Sequence, residues 1–155
     1  MISMETISAN ILQQHLGYWL RRVSNQGSGG FARALQERDL SVAEWVALNQ
    51  IGVGSDVSPA DIAAATGMTR GAISKVLDKL EHRKWISRAI SEQDHRVQRL
   101  TLTRSAKRVL PELTGIADRN DAHFFGALEA AEQSVLRALL QKVAASHPIN
   151  TVPID

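Results

Sequence analysis

The 155-residue chain contains no cysteine, and this absence excludes several kinds of site. Disulfides, thiolate-bound zinc, iron–sulfur clusters and thiol nucleophiles all need that residue. The five histidines are scattered without a His-x-x-x-His pair, so we expect no metal site. No Ser/His/Asp set and no pair of carboxylates stands out either. We therefore expect neither catalysis nor a cofactor.

Long uninterrupted apolar segments are also missing. No stretch approaches the roughly 18 consecutive apolar residues that a membrane helix needs. The first residues, MISMETISANILQQHL, lack the basic start and apolar run of a secretory signal. The length suits one ordinary globular domain or two small lobes. The sequence therefore predicts a cytoplasmic protein with no membrane partner.

Glycine is concentrated at one place, the stretch NQGSGG with Gly27, Gly29 and Gly30. The apolar periodicity before it predicts a helix over residues 6 to about 25. Each glycine inside a helix costs roughly 1 kcal/mol relative to alanine, so we predict a helix with a weak or broken middle. The patch follows no strand and misses the dinucleotide fingerprint, which argues against a phosphate loop.

The charge is distributed unevenly along the chain, although the net charge is only +2. Residues 69–108 contain 11 Lys/Arg and 4 Asp/Glu, a balance of +7, and the remaining residues contain 7 and 12, a balance of −5. A basic block between acidic segments indicates a polyanionic partner on one face of the molecule.

Two short helices are predicted at the start of this block. SVAE at residues 41–44 is a capping box that opens the preceding helix. In SPAD, Ser58 is the expected N-cap, Pro59 occupies the first turn and Asp61 faces the positive helix end. This helix ends at Gly67, and a second helix over about 69–84 follows, with Thr69 as its cap.

The second of these helices has one apolar and one basic face. Its apolar residues are Ile73, Val76, Leu77 and Leu80. Two short helices joined around a glycine form the helix-turn-helix pattern, in which the second helix lies in the DNA major groove. A basic helix face is more often simply solvated, but the two-helix pattern favours DNA here. Arg70 has the fork that reads guanine, and Gly71 lets the backbone approach closely.

From Trp85 the period changes to that of strands. WISRAI and VQRLTLT alternate in polarity, and a polar, turn-prone segment joins them, which predicts a hairpin. Its tip, residues 91–97, would place Arg96 in the DNA minor groove with Asp94 orienting the guanidinium. An ordinary turn salt bridge is the alternative for this pair. The full set of predicted DNA contacts is Ser58, Thr69, Arg70, Gly71, Ser74, Lys75, Lys79, Arg88, Asp94, His95, Arg96 and Arg99.

The segments IAAATGMTRGAISKVLDKLE, WISR and DHRVQRLTLT resemble the MarR family of winged-helix regulators. The resemblance implies a mainly α fold with a small β-hairpin wing. Residues 37–103 would form the winged helix-turn-helix lobe, and residues 1–36 and 104–155 would form a helical dimerisation region. It implies a homodimer that binds palindromic double-stranded operators, most commonly as a repressor. The family commonly has a glycine just after the recognition helix, where this chain has Lys84.

The resemblance also implies a small-molecule effector pocket between the two regions. The residues that would lie near it are His15, Tyr18, Trp19, Arg22 and Trp45. An aromatic-lined cleft suits an aromatic or phenolic ligand, although the same aromatic side chains could be plain core and Arg22 plain surface charge. A winged-helix protein-interaction module without specific DNA binding is the alternative function, because a fold does not fix a function.

Overall fold

The computed structural model describes residues 11–91 and 97–154. The predicted wing-tip residues Asp94, His95 and Arg96 lie outside this range. The described elements are α1 (Leu16–Gln36), α2 (Val42–Val53), α3 (Pro59–Thr66), α4 (Arg70–His82), β1 (Ile86–Ile90), β2 (Gln98–Leu102), α5 (Arg104–Phe125) and α6 (Ala130–Ala145). The predicted fold class, mainly helical with a two-stranded antiparallel hairpin, is confirmed.

The helix starts follow the predicted caps. Ser41 and Glu44 exchange side-chain and backbone hydrogen bonds at the start of α2, and Ser58 and Asp61 do the same at α3. Thr69 accepts a hydrogen bond from the Ala72 N–H at the start of α4. Each cap satisfies N–H groups that have no partner inside the helix, which fixes where the helix begins.

The core lies between the two short helices, the hairpin and the long helices. Ile73, Leu77 and Leu80 of α4 are buried and Val76 is half-buried, so the predicted anchoring face is confirmed. They join Ile62 of α3 and Leu48 of α2 in one cluster. Gly67 ends α3 with φ +69°, a left-handed conformation that glycine adopts without strain. This turn sets the crossing of α3 and α4.

The hairpin is antiparallel and packs beside α4. Ile86 pairs with Leu102 and Ile90 with Gln98, and the Ser91 N–H donates to the Val97 carbonyl beyond the last pair. Leu100 is buried and also pairs with Val57, in the loop before α3. The hairpin is therefore tied to both helices of the helix-turn-helix unit.

The expectation of a broken first helix is wrong at the glycine patch, because α1 continues through it. The break lies earlier, at residues 14–15, between helical residues 11–13 and α1. Gly27 and Gly30 face α5, where the Asn120 amide donates to the Gly27 carbonyl at 3.3 Å. A Cβ at Gly30 would lie 2.9 Å from the Asn120 Oδ1, so the patch allows α1 and α5 to pack closely.

The segment after α6 returns to the helix-turn-helix unit. The Val152 N–H donates to the Ala65 carbonyl at 2.8 Å, and Thr151 lies against Gly67. The last described residues thus contact the C-terminal end of α3. No helix among the described residues is long and apolar enough to span a bilayer.

Candidate nucleic-acid interface

The exposed face of α4 presents the predicted reading residues. Arg70, Gly71, Ser74 and Lys75 are all exposed, while the opposite face is buried. Nothing lies within 4 Å of the position that a Cβ would take at Gly71, so the backbone there is open to a partner. These residues occupy the first turns of α4, where the helix dipole favours a negative group.

Two basic side chains on this face are unpaired. Within residues 11–91 and 97–154, neither Arg70 nor Lys75 makes an ion pair. Their charge is therefore available to a phosphate or a guanine edge. Thr69 is engaged as the helix cap but remains exposed.

Arg88 occupies a different setting. Its Nη2 lies 2.5 Å from the Asp78 Oδ1 and its Nε lies 3.1 Å from the Glu81 Oε2, and only 18% of its side chain is exposed. Asp78 and Glu81 are the two acidic residues of α4. The guanidinium thus joins β1 to the recognition helix.

Arg99 and Lys79 also have carboxylate partners. The Arg99 Nε lies 2.7 Å from the Asp56 Oδ1, and its Nη1 donates to the Asp56 carbonyl at 2.9 Å. Lys79 is mostly exposed, with its Nζ 3.8 Å from the Glu44 Oε1. These pairs hold the hairpin to the loop before α3 and α4 to α2, so the two cations are not wholly free for DNA.

Ser58 is buried as the cap of α3. Its hydroxyl donates to the Asp61 carboxylate at 2.7 Å and also accepts from the Asp61 N–H. The Ser58 side-chain and backbone hydrogen bonds, together with the Arg99 charge, outweigh desolvation and lower the pKa of Asp61 below 3.8. The geometry gives Ser58 a structural role, and its DNA contact stays a prediction.

The predicted effector residues divide into two places. The Arg22 guanidinium donates to the Tyr18 hydroxyl at 3.1 Å and lies 5.8 Å from the centroid of the Trp19 ring. Trp45 instead packs edge-to-face on Phe31. At about 1.5 Å of rise per residue, Phe31 lies about 18 Å along α1 from Trp19.

His15 precedes α1 and is exposed, with no side-chain capping bond. Together with the Tyr18, Trp19 and Arg22 group it lies at the N-terminal end of α1. Trp45 is half-buried and packs against the core. Its Nε1 atom is fully buried and has no hydrogen-bond partner among the described residues. The structure therefore does not bring all five predicted residues into one pocket of a single chain.

A cleft of about 530 Å³ lies elsewhere, between the end of α2, β2 and α5. It combines apolar side chains with a few polar groups and is open to solvent. Its lining residues are Asn49, Gly52, Val53, Leu102, Lys107, Leu110, Pro111 and Thr114. None of the predicted effector residues lines it. Its residues come from the end of α2 and from β2 and α5, about fifty positions further along the chain, so no local motif could have found it.

Apolar side chains are exposed at both ends of the described chain. They are Ile11, Leu12, Leu16, Trp19, Leu20, Val23, Val135, Leu139, Leu140, Val143 and Ile149. Helix α6 has no buried residue at all. An element that exposes several large apolar side chains is typical of a protein interface.

Residues 38–97 match the family model described as MarR family. A structure of BpsR from Bordetella bronchiseptica, described for regulation of its DNA binding by 6-hydroxynicotinic acid, is 25% identical over 84% of this chain and 93% of that chain, with a TM-score of 0.72. A MarR family protein of Mycobacterium tuberculosis in complex with p-aminosalicylic acid is 26% identical over 84% and 98%, with a TM-score of 0.68.

A mutant MarR from Escherichia coli, complexed with operator DNA, shares the fold at 22% identity over 83% of this chain and 92% of that chain, with a TM-score of 0.70. The matched segment contains the helix-turn-helix unit and β1 and ends at Val97, just before β2, and the fold extends the similarity to the long helices. The chain is therefore similar to MarR family regulators, in sequence over residues 38–97 and in fold over most of its length.

Proposed function

We propose that this protein is a dimeric, sequence-specific DNA-binding transcriptional regulator, a repressor that a small-molecule effector releases. The observation that carries the proposal is the first half of α4, where exposed Arg70, Ser74 and Lys75 stand on a buried apolar anchor. The relative BpsR, which binds DNA, supports it. Helix α4 would enter the major groove, and residues 91–97 would reach the minor groove.

The uncovered apolar surface of the helical region supports dimerisation. A stable interface typically buries about 800 Å² per partner, and α6 together with the start of α1 offers a row of exposed Leu, Val and Trp side chains. A second copy of the chain would cover this row. Two copies related by a two-fold axis would present their α4 helices about 34–36 Å apart, matching a palindromic operator.

The effector is proposed to be an aromatic or phenolic molecule. The Tyr18, Trp19 and Arg22 group offers ring faces and a guanidinium suited to a carboxylate. The two relatives named with 6-hydroxynicotinic acid and p-aminosalicylic acid support this class. Such a ligand would shift the spacing of the DNA-binding lobes by binding one form more tightly than the other.

The test is a fluorescence-anisotropy titration against the DNA upstream of the protein's own coding region, at two salt concentrations and with random DNA as competitor. We expect tight, salt-dependent binding that resists the competitor. Arg70→Ala is expected to lose discrimination by about tenfold or more. Arg119→Ala, which removes an exposed arginine from α5, is the matched control. Binding no tighter than to random DNA at every candidate operator would contradict the proposal and favour the protein-interaction module.

Two further arms test the dimer and the effector. Leu139→Glu, in the middle of the uncovered α6 face, should give a monomer by analytical ultracentrifugation and weaken operator binding. 6-Hydroxynicotinic acid and p-aminosalicylic acid serve as effector probes, with release of labelled operator as the readout. Arg22→Gln should reduce the release, whereas Arg21→Gln, its exposed neighbour on α1, should not. Equal release by both variants would place the effector elsewhere.

A further inference from the structure

Arg88 connects the wing to the recognition helix through two carboxylates. It lies in the middle of β1, opposite Leu100, and its guanidinium contacts both Asp78 and Glu81. Asp78 and Glu81 are three residues apart and therefore share one side of α4. A single half-buried arginine thus contacts both acidic side chains of the recognition helix.

The position of Asp78 makes this compensation important. It follows Ser74 by four residues and Lys75 by three, so it lies on the same exposed face as the predicted reading residues. An uncompensated carboxylate there would face the phosphates and repel them. With Arg88 in contact, one of the two negative charges is offset, and the face keeps the positive charge of Arg70 and Lys75.

We propose that Arg88 is a positioning residue for DNA binding, which masks Asp78 and Glu81 and holds the hairpin at a fixed orientation to α4, and that it does not itself contact a phosphate. This inference rests on the proposed function. The low exposure of its side chain supports it, because most of that side chain is already enclosed by protein. The wing and the recognition helix would then meet DNA as one rigid unit.

The test is a double-mutant cycle on operator affinity. Arg88→Gln is expected to weaken specific binding about tenfold. The pair Asp78→Asn with Glu81→Gln should change the affinity of the wild type by less than about threefold and restore at least about threefold in the Arg88→Gln background. A direct phosphate contact predicts instead that the two changes multiply independently. Independence, or a larger gain in the wild-type background, would overturn the proposal.

Arg70→Gln provides the matched control for this cycle. It removes the same charge from the other end of α4, where no carboxylate contacts it among the described residues. The Asp78→Asn/Glu81→Gln pair should therefore act on Arg70→Gln as it does on the wild type, within about twofold. Restoration of both arginine variants would mean a general charge effect and would count against the clamp.

A second readout separates this inference from the proposed function. The same cycle is measured on urea unfolding of the DNA-free protein, where a clamp couples Arg88 to the two carboxylates and a phosphate contact has no effect. Failure of the wild type to bind any operator would refute the proposed function. If the Arg88 and carboxylate changes are then coupled in the free energy of unfolding, Arg88 still links β1 to α4. If their effects on unfolding are independent, the ion-pair proposal is refuted as well.

Discussion

Lys84 has a left-handed backbone, with φ +58°, immediately after the recognition helix. The Trp85 N–H donates to the Leu80 carbonyl at 3.0 Å, and the Lys84 N–H donates to the Glu81 carbonyl at 2.8 Å. These two bonds form a Schellman motif, in which the left-handed residue is usually glycine because a Cβ is unfavourable there. We predict that Lys84→Gly stabilises the protein.

The magnitude follows from two opposing terms. The left-handed conformation costs a residue with a Cβ about 1–2 kcal/mol. Glycine also gains freedom in the unfolded chain, which offsets about 0.5–1 kcal/mol of that relief. The net gain in the free energy of unfolding therefore lies within about 0–1.5 kcal/mol, with a middle value of about 0.75 kcal/mol. For a chain of this length, 1 kcal/mol corresponds to a rise in Tm of about 2–4 °C.

The assay is urea unfolding at one fixed protein concentration, because the proposed dimer would make apparent stability depend on concentration. Lys84→Ala is the control, since it removes the charged side chain and keeps the Cβ. The exposed lysine side chain has no ion-pair partner in the described part of the chain, so Lys84→Ala should change the stability little. If Lys84→Gly is no more stable than Lys84→Ala, the strain argument is wrong.

The remaining predictions concern stability. Gly17→Ala should raise the free energy of unfolding by about 1 kcal/mol because nothing lies within 4 Å of the new methyl group, whereas Gly30→Ala, which crowds α5, should gain less in the same urea assay. Because Ser58 lowers the pKa of Asp61, the ionised carboxylate stabilises the fold above pH 3.8. This stabilisation is lost as the pH falls through the folded-state pKa. Asp61→Asn should therefore reduce the fall in the free energy of unfolding at acid pH. Removing residues 151–155 should cost about 1 kcal/mol, measured as Tm, by deleting the hydrogen bond to α3.

The local features of this fold could be predicted because the groups that determine them are neighbours in sequence. The caps at Ser41, Ser58 and Thr69 each join a side chain to a backbone N–H three residues later. The apolar side of α4 follows from its period alone. The MarR-like order of helices, hairpin and helices could be recognised for the same reason, since each element carries its own signal.

The first helix shows where local reasoning fails. Three glycines in one turn predict a break, yet α1 continues because Gly27 and Gly30 pack on Asn120 and on the Phe124 ring of α5. The partner residues lie about ninety positions further along the chain, so no window around the glycines contains the reason. Tertiary packing here outweighs an unfavourable propensity of roughly 1 kcal/mol per glycine.

The carboxylate partners of the arginines also could not be predicted from the sequence. Arg88 and Arg99 were predicted to contact DNA, and each lies against a carboxylate from another part of the chain. The sequence did contain one indication of such a pair. Asp78 and Glu81 are the only acidic residues of an otherwise basic helix, and a carboxylate on a DNA-binding face is expected to have a cation nearby. Which cation supplies it depends on the packing of β1 against α4.

Ion pairing changes how the basic block should be interpreted. The balance of +7 over residues 69–108 counts every lysine and arginine equally, yet Arg83, Arg88 and Arg99 are each bound to a carboxylate. Counterion release reflects only charges that meet phosphates, so the salt dependence of DNA binding should be smaller than the basic-residue count implies. Within the described part of the chain, the unpaired cations of α4 are Arg70 and Lys75, near the positive end of the helix dipole. The paired arginines hold the structural elements together, and the unpaired cations remain available to the nucleic acid.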